Sequence, residues 1–370
     1  MKKRILYVGG FELPDKNAAA NRVMAIAKAW RDSNIEVIFL GVSKSNREAN
    51  VLKTKTNIQG FLSYSIPYPH NKNSWITYLT SIKEVKALIT SLGEFDGVVC
   101  YNYQSIAFRK LSKYCKLNGI KIYADCTEWY NTNGSKLFFK TIKGFDTWYR
   151  MRIVQKKIDG VIVISDYLGK YYKASKNVVV IPPLVDSRED KWFCTAKFLG
   201  EQTNFIYAGN PGSKDRIDEI ITSYCELLKK YKCKLWIIGI SKEQFLQKND
   251  KYSQNNIPES IVFLGKISHR ETLSYLKGAD CSLIIRDSNR TNNAGFPTKF
   301  VEAVTLGTGI IASNISDLEK YCNKLDNALI VNDSVYGAME NFVLNEISKN
   351  TFNNLFDYRK WSNELLSFLD

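Results

Sequence analysis

Residues 286–313 read R-D-S-N-R-T-N-N-A-G-F-P-T-K-F-V-E-A-V-T-L-G-T-G-I-I-A-S, and they hold the side chains of this chain best suited to phosphate and sugar chemistry. Arg286 and Arg290 precede a turn set by Gly295, Phe296 and Pro297. Thr298 and Lys299 open a predicted helix, and Glu302 lies one turn further along. The N–H groups at a helix start lack intrahelical partners and carry partial positive charge, which suits a phosphate. Residues three apart share a helix face, so Lys299 and Glu302 can meet one ligand. Cations for a diphosphate beside a carboxylate for a ribose is the chemistry of a nucleotide-sugar pocket. Gly307 ends the predicted helix, and 310–312 begins another buried strand.

Three further clusters follow strand-like runs. Gly209-Asn210-Pro211-Gly212-Ser213-Lys214-Asp215-Arg216 is a small-residue loop ending in cations. It lacks the G-K-[ST] ending of an ATPase phosphate loop, yet Lys214 can meet a diphosphate as a point charge. Gly9-Gly10-Phe11-Glu12 sits where a dinucleotide fingerprint would lie, without its G-x-G-x-x-G spacing, so NAD has little support. Gly10 still allows close backbone approach to a ligand. Asp125-Cys126-Thr127-Glu128-Trp129-Tyr130 offers Asp125 and Glu128 to sugar hydroxyls and aromatic faces to sugar rings, or a helix cap. Residues 61–75 read as an aromatic-rich loop, either packed or touching an acceptor or membrane.

The elements that must position these groups are regular. Short apolar runs at 5–8, 36–40, 97–100, 121–124, 160–164 and 178–181 alternate with amphipathic stretches such as 21–33 and 105–118. Such alternation predicts a parallel sheet covered by helices on both faces. Pro182-Pro183 breaks the pattern, and the polar stretch 186–203 reads as a linker. Strand-like runs then resume at 204–208, 234–238, 261–264, 281–285, 309–312 and 328–331. The chain thus predicts an α/β protein: a first domain over 1–185, a second over 204–350, and a cleft between them. A helical tail at 351–370 is expected to pack back on the first domain.

Composition narrows the class. With 370 residues and 45% hydrophobic content, the chain can form two well-filled domains. No run approaches the roughly 20 apolar residues of a membrane span, and the four apolar residues after Met1-Lys2-Lys3-Arg4 are too few for a signal core. The eight cysteines form no C-x-x-C pair and read as buried thiols of a reducing, cytoplasmic compartment. Only His70 and His269 are present, which disfavours zinc and Ser-His-Asp chemistry. A net charge of +15 without a zinc-finger or RNA-recognition signature points away from nucleic acid. The charge is spread along the chain and reads either as a generally basic surface or as one that meets an anionic membrane or an anionic substrate.

The ordered motifs resemble the retaining GT-B-fold glycosyltransferases grouped with family-4 bacterial polysaccharide enzymes. They are Gly9-Gly10, Asp125–Trp129, Val163-Ile164-Ser165, Val180-Ile181-Pro182, Gly209–Lys214, and Gly295-Phe296-Pro297-Thr298-Lys299 with Glu302 and Gly307-Thr308. The resemblance implies two Rossmann-like domains and retaining transfer from a nucleotide-sugar to a saccharide acceptor, lipid-linked and destined for surface polysaccharide. The nucleotide-sugar is then a substrate, and neither cofactor nor metal is implied. It also implies that Lys214 with Arg286 or Arg290 holds the diphosphate and that Glu302 binds the ribose. Gly10, Gly209, Gly295, Phe296, Pro297, Thr298 and Lys299 would line the donor, and Asp125 and Glu128 would take catalytic roles.

Three positions depart from the family pattern. Ala294 stands eight residues before Glu302, where the family often has a second glutamate. Asn210 replaces an arginine, which favours Arg286 as the cation. Thr127 replaces a histidine. These gaps keep open a non-catalytic partner subunit of the same fold, and, less well matched, a nucleotide-sugar epimerase.

Overall fold

The computed structural model describes residues 2–129, 137–212, 214–253, 256–347 and 351–370. Tyr130 and Ser213, both within motifs singled out above, lie outside them. The chain forms two compact units, one of residues 1–185 with 357–370 and the other of residues 186–356.

The first unit is built on an eight-stranded sheet. Its strands are β1 (Arg4–Gly9), β2 (Glu36–Ser43), β3 (Thr56–Ile58), β4 (Phe61–Pro67), β5 (Gly97–Tyr101), β6 (Lys121–Cys126), β7 (Gly160–Val163) and β8 (Val178–Val180). They lie in the order β3-β4-β2-β1-β5-β6-β7-β8, parallel except for the β3–β4 pair. Central strands are apolar on both faces because helices cover both, as Ile5, Leu6, Tyr7 and Val8 of β1 show by their complete burial. Helix Ala18–Asp32 begins where the Asn17 side chain accepts from the Ala20 N–H and runs through a small-residue face ending in buried Trp30.

Residues 61–75 differ from the loop read in sequence. Residues 61–67 pair with β2 as a parallel strand, and Asn71 then caps helix Lys72–Thr80 through a reciprocal bond with Ser74. Phe61 and Tyr64 are buried by packing of the strand, whereas Tyr68 and Trp75 beyond it are exposed. The C-terminal residues return to this unit: the Trp30 indole donates to the Leu365 carbonyl at 2.9 Å, and Leu365, Phe368 and Leu369 are buried in its core.

The second unit carries a six-stranded sheet, ordered β11-β10-β9-β12-β13-β14. The strands are β9 (Thr203–Ala208), β10 (Cys233–Ile238), β11 (Ile261–Gly265), β12 (Cys281–Ile284), β13 (Gly309–Ser313) and β14 (Ala328–Val331), all parallel. Residues 186–203 belong to this unit instead of spanning free between two domains. Trp192 is buried, the Lys197 N–H donates to the Ser274 carbonyl, and Lys277 Nζ donates to the Cys194 carbonyl. The polar composition misled because its contacts to helix His269–Gly278 are made by backbone, which leaves no apolar period to read.

That contact is tight. A Cβ added at Gly278 would sit 2.0 Å from the Lys197 carbonyl oxygen. Gly278→Ala is therefore expected to destabilise the second unit by about 1–3 kcal/mol through overpacking, measured by urea unfolding. Unchanged stability would show that 194–199 is not held against this helix.

Candidate functional site

In the second unit the strand order turns outward on both sides of the β9–β12 pair. Ligands in open α/β sheets bind beyond the carboxyl ends of strands at such a switch. There the loops after β9 and β10 touch directly: a Cβ at Gly239, whose φ is +107°, would lie 2.4 Å from the Gly209 carbonyl oxygen. Gly209 itself has φ +143°, and a Cβ on it would come within 3.5 Å of Lys299 Nζ. Both glycines have positive φ, which other residues rarely adopt, and the absence of a Cβ at Gly239 is what lets the two loops meet so closely.

The loop after β9 brings Asp215 against two cations. Arg286 Nε donates to Asp215 Oδ1 at 2.7 Å, Lys299 Nζ approaches the same oxygen at 3.3 Å, and the Tyr207 hydroxyl donates to Oδ2 at 3.0 Å. Lys299 Nζ also lies 4.2 Å from the centroid of the Tyr207 ring, a cation–π placement. The three charged side chains are 6%, 11% and 15% exposed for Asp215, Lys299 and Arg286. Two cations face one carboxylate in a poorly solvated place, with the Glu302 carboxylate one turn away also acting on Lys299.

Burial alone would raise the Asp215 carboxyl, but Lys299 and Arg286 outweigh it and hold it below its ordinary range. For Lys299 burial dominates, with Arg286 adding to it against the pull of Asp215, and the ammonium is pushed down to about 8. Arg216 reinforces the loop: its N–H donates to the Ile285 carbonyl and its guanidinium pairs with Asp287 at 2.5 Å.

Helix Thr298–Leu306 starts at this cluster. Its N-cap is Pro297, which supplies no side-chain bond to the first turn, and Thr298 is exposed. The backbone N–H groups there are available to an anion. Gly307 closes the helix in the left-handed conformation, φ +74°, as its position after Leu306 predicts.

The remaining expected donor residues fall around this core in different ways. Lys214 is exposed in the turn one residue before Asp215, and Arg290 opens the short helix Arg290–Ala294. Gly295 ends that helix and its carbonyl accepts from Ser316 Oγ at 2.5 Å. The Phe296 ring does not face a ligand. It packs edge-on against Phe300, Tyr321 and Phe356 at 5.7–6.0 Å, so its side chain anchors the turn. Ala294 is fully buried, so a carboxylate placed there would have to be desolvated.

Glu302 is met by a residue that the sequence reading set aside. His269 Nε2 lies 2.9 Å from Glu302 Oε1. His269 is the first residue of helix His269–Gly278, which follows β11 and is fixed by the Ser268–Glu271 capping box. The S-x-x-E pattern was the available signal, because it puts His269 at a helix start beside the strand ends.

In the first unit the acidic motif divides. Asp125, at the end of β6, is completely buried. It accepts from the Tyr7 hydroxyl at 2.6 Å and from Arg22 Nε at 2.9 and 3.0 Å, and Arg22 Nη2 lies 2.8 Å from Oδ1. Arg22 Nη1 donates onward to the Ile181 and Pro182 carbonyls. The expected catalytic part for Asp125 is therefore corrected: its carboxylate is an interior tie, paired because an unpaired buried charge is prohibitive. Glu128, two residues beyond the strand, is only partly buried. Thr127 is held by Asn102 Nδ2 at 2.7 Å. Gly10 is exposed after β1, beside a cavity of about 290 Å³ lined in part by Gly9, Gly41, Tyr78, Glu84 and Tyr103.

Comparison with known proteins places this geometry. Residues 190–349 match the family model Glycosyl transferases group 1. That segment contains the Asp215 cluster and Glu302. Sucrose-phosphate synthase from Thermosynechococcus elongatus aligns with TM-score 0.70 at 11% identity, covering 100% of this chain and 95% of that one. The lipopolysaccharide outer core galactosyltransferase WaaB aligns with TM-score 0.64 at 13% identity, covering 98% of this chain and 99% of that one. Anabaena HepE, solved with UDP and glucose, aligns with TM-score 0.62 at 9% identity, covering 99% of this chain and 97% of that one. The two parallel-sheet units thus have the GT-B fold. No curated protein matches the sequence.

The depressed Lys299 gives a pH signature. Its folded value is below that of an unfolded lysine, so the unfolded chain binds more protons above about pH 8 and stability rises with pH there. From pH 8 to 9.5 this contribution amounts to about 1–2 kcal/mol. Urea unfolding of the wild type and Lys299→Met across that interval is expected to differ by this amount, and parallel profiles would contradict the assignment.

Proposed function

We propose that the chain transfers a sugar from a nucleotide-sugar to a saccharide acceptor, with retention and without a required metal. The observation that carries this reading is the Lys299–Arg286 pair held by Asp215, with Glu302 one turn along the same helix, inside the segment that matches Glycosyl transferases group 1. Neighbours of this fold solved with UDP and glucose, and with UDP-2-fluoro glucose, support a uridine-type donor.

In this reading Arg286, Lys299 and the Thr298 end of the helix receive the diphosphate, and exposed Lys214 adds a further cation. The bond between the anomeric carbon and the diphosphate oxygen breaks, and negative charge grows on that oxygen. Fixed cations in a poorly solvated site stabilise the charge without reorganising. The acceptor hydroxyl oxygen bonds to the anomeric carbon on the same face, and its proton passes to the departing diphosphate. Products are the glycoside and the nucleoside diphosphate. Glu302 accepts from the ribose hydroxyls, with His269 occupying one of its oxygens. Gly209 and the Gly295–Pro297 backbone line the donor, and Arg290 borders it.

On the acceptor side of this proposal the first unit offers partly exposed Glu128 and exposed Gly10. The acceptor in this proposal is lipid-linked, used at the cytoplasmic face of a membrane during polysaccharide synthesis. No helix among the described residues is long and apolar enough to cross a membrane.

Isothermal titration with UDP tests the site directly. Glu302→Ala and Lys214→Ala are each expected to weaken binding by about ten-fold or more, in line with the loss of a charge-assisted bond, while thermal stability holds. Near-normal affinity in both variants would overturn the assignment. Binding of a UDP-sugar with no release of UDP, over a panel of sugars and saccharide acceptors, would instead favour the non-catalytic partner.

A further inference from the structure

Three neighbouring helices of the first unit expose aromatic and basic side chains that the donor chemistry does not use. On helix Lys72–Thr80, Trp75 and Ile76 are exposed, Ile76 by 61%. On helix Leu137–Tyr149, Ile142, Phe145 and Trp148 are exposed, Phe145 by 54% and Trp148 by 48%. Spacing of three puts these last residues on one side of the helix, while Thr147, Arg150 and Met151 on the other side are buried. The Phe145 and Trp148 rings are 6.1 Å apart and Phe145 stacks on Tyr149 at 5.7 Å, so the exposed side is an ordered aromatic ladder.

Helix Ser105–Leu117 joins the two. Lys110 Nζ donates to the Thr80 carbonyl at 2.8 Å, the Ser105 N–H donates to Asp146 Oδ1 at 2.7 Å, and Arg109 bonds the Tyr149 hydroxyl. This helix exposes Arg109, Lys110, Lys113 and Lys116 and has no acid. Across 137–157 the only acid is Asp146, which is turned to Ser105 and Arg150.

We propose that this face seats on a bilayer surface rich in anionic lipid. Tryptophan and phenylalanine flanked by lysine and arginine suit the headgroup boundary, where rings enter the interface and cations meet lipid phosphates. The same cations argue against a second copy of the chain, because face-to-face pairing would oppose like charges. The proposal stands apart from the donor site, and it supplies the surface on which a lipid-linked acceptor would be met.

The full-length protein, sedimented with vesicles of equal parts phosphatidylglycerol and phosphatidylcholine, is expected to bind at about 0.1 M salt and to release as salt rises. It should not bind phosphatidylcholine alone. Phe145→Ser with Trp148→Ser is expected to lower the partition coefficient about ten-fold, with the circular-dichroism melt and UDP affinity unchanged. Phe198→Ser, which removes an exposed ring of the second unit, serves as the control and should bind like wild type. Equal binding to neutral vesicles, or wild-type partitioning by the double variant, would overturn the proposal. So would a lipid-free dimer in sedimentation velocity that the double variant abolishes, because that result assigns the face to a second copy. A double variant that keeps vesicle binding but loses UDP binding counts against the donor reading and this one alike.

Discussion

The Asp215 carboxylate is the constraint on which the second unit's site depends. It is nearly buried, and a buried carboxylate is tolerable only when paired and fully bonded. Its partners come from separate segments: Tyr207 from β9, Arg286 from beyond β12, and Lys299 from the helix after the Pro297 turn. One anion therefore fixes the relative position of two strand ends and a helix start. It also holds two cations close together that would otherwise repel. In the proposed donor site this means that the cations are already ordered by folding before a diphosphate arrives. Such preorganisation is what an electrostatic site requires.

Much of this was legible in sequence because it lies on regular elements. The runs at 204–208, 281–285 and 309–312 carry apolar residues on both faces and became central strands. The helix from Thr298 to Gly307 was readable from a proline at its start and a glycine at its end. Illegible parts were those fixed by tertiary contact. Nothing in the local pattern tells that Asp215 will receive Lys299, because the residues are 84 apart. His269 and Glu302 are likewise 33 apart and meet only when β11 and the later helix are placed. Residues 61–67 became a strand through pairing with β2, despite an aromatic and proline content that reads as a loop. Asp125 looked chemically available because a strand's carboxyl end is where ligands bind. Its neutraliser, Arg22, lies on a distant helix and redirected it inward.

Both units thus use the same device at a strand end, a carboxylate bonded to a tyrosine hydroxyl and an arginine, with opposite consequences. In the first unit, Tyr7, Asp125 and Arg22 form a closed set. Arg22 is 4% exposed, and its guanidinium faces the carboxylate on one edge and the Ile181 and Pro182 carbonyls on another. One carboxylate there faces one guanidinium, and both are buried. In the second unit, Tyr207, Asp215 and Arg286 repeat the motif, but Lys299 brings a second cation against the same oxygen. Asp215 alone does not balance its two cations, Glu302 lies one turn further along, and the helix start opens beside them. The closed set organises packing around β1 and β6. The open set retains positive field at a place with little water, the condition under which an anion gains most from entering. The difference between the closed ion pair of the first unit and the proposed donor site of the second therefore reduces to one lysine and the exposed helix end that carries it.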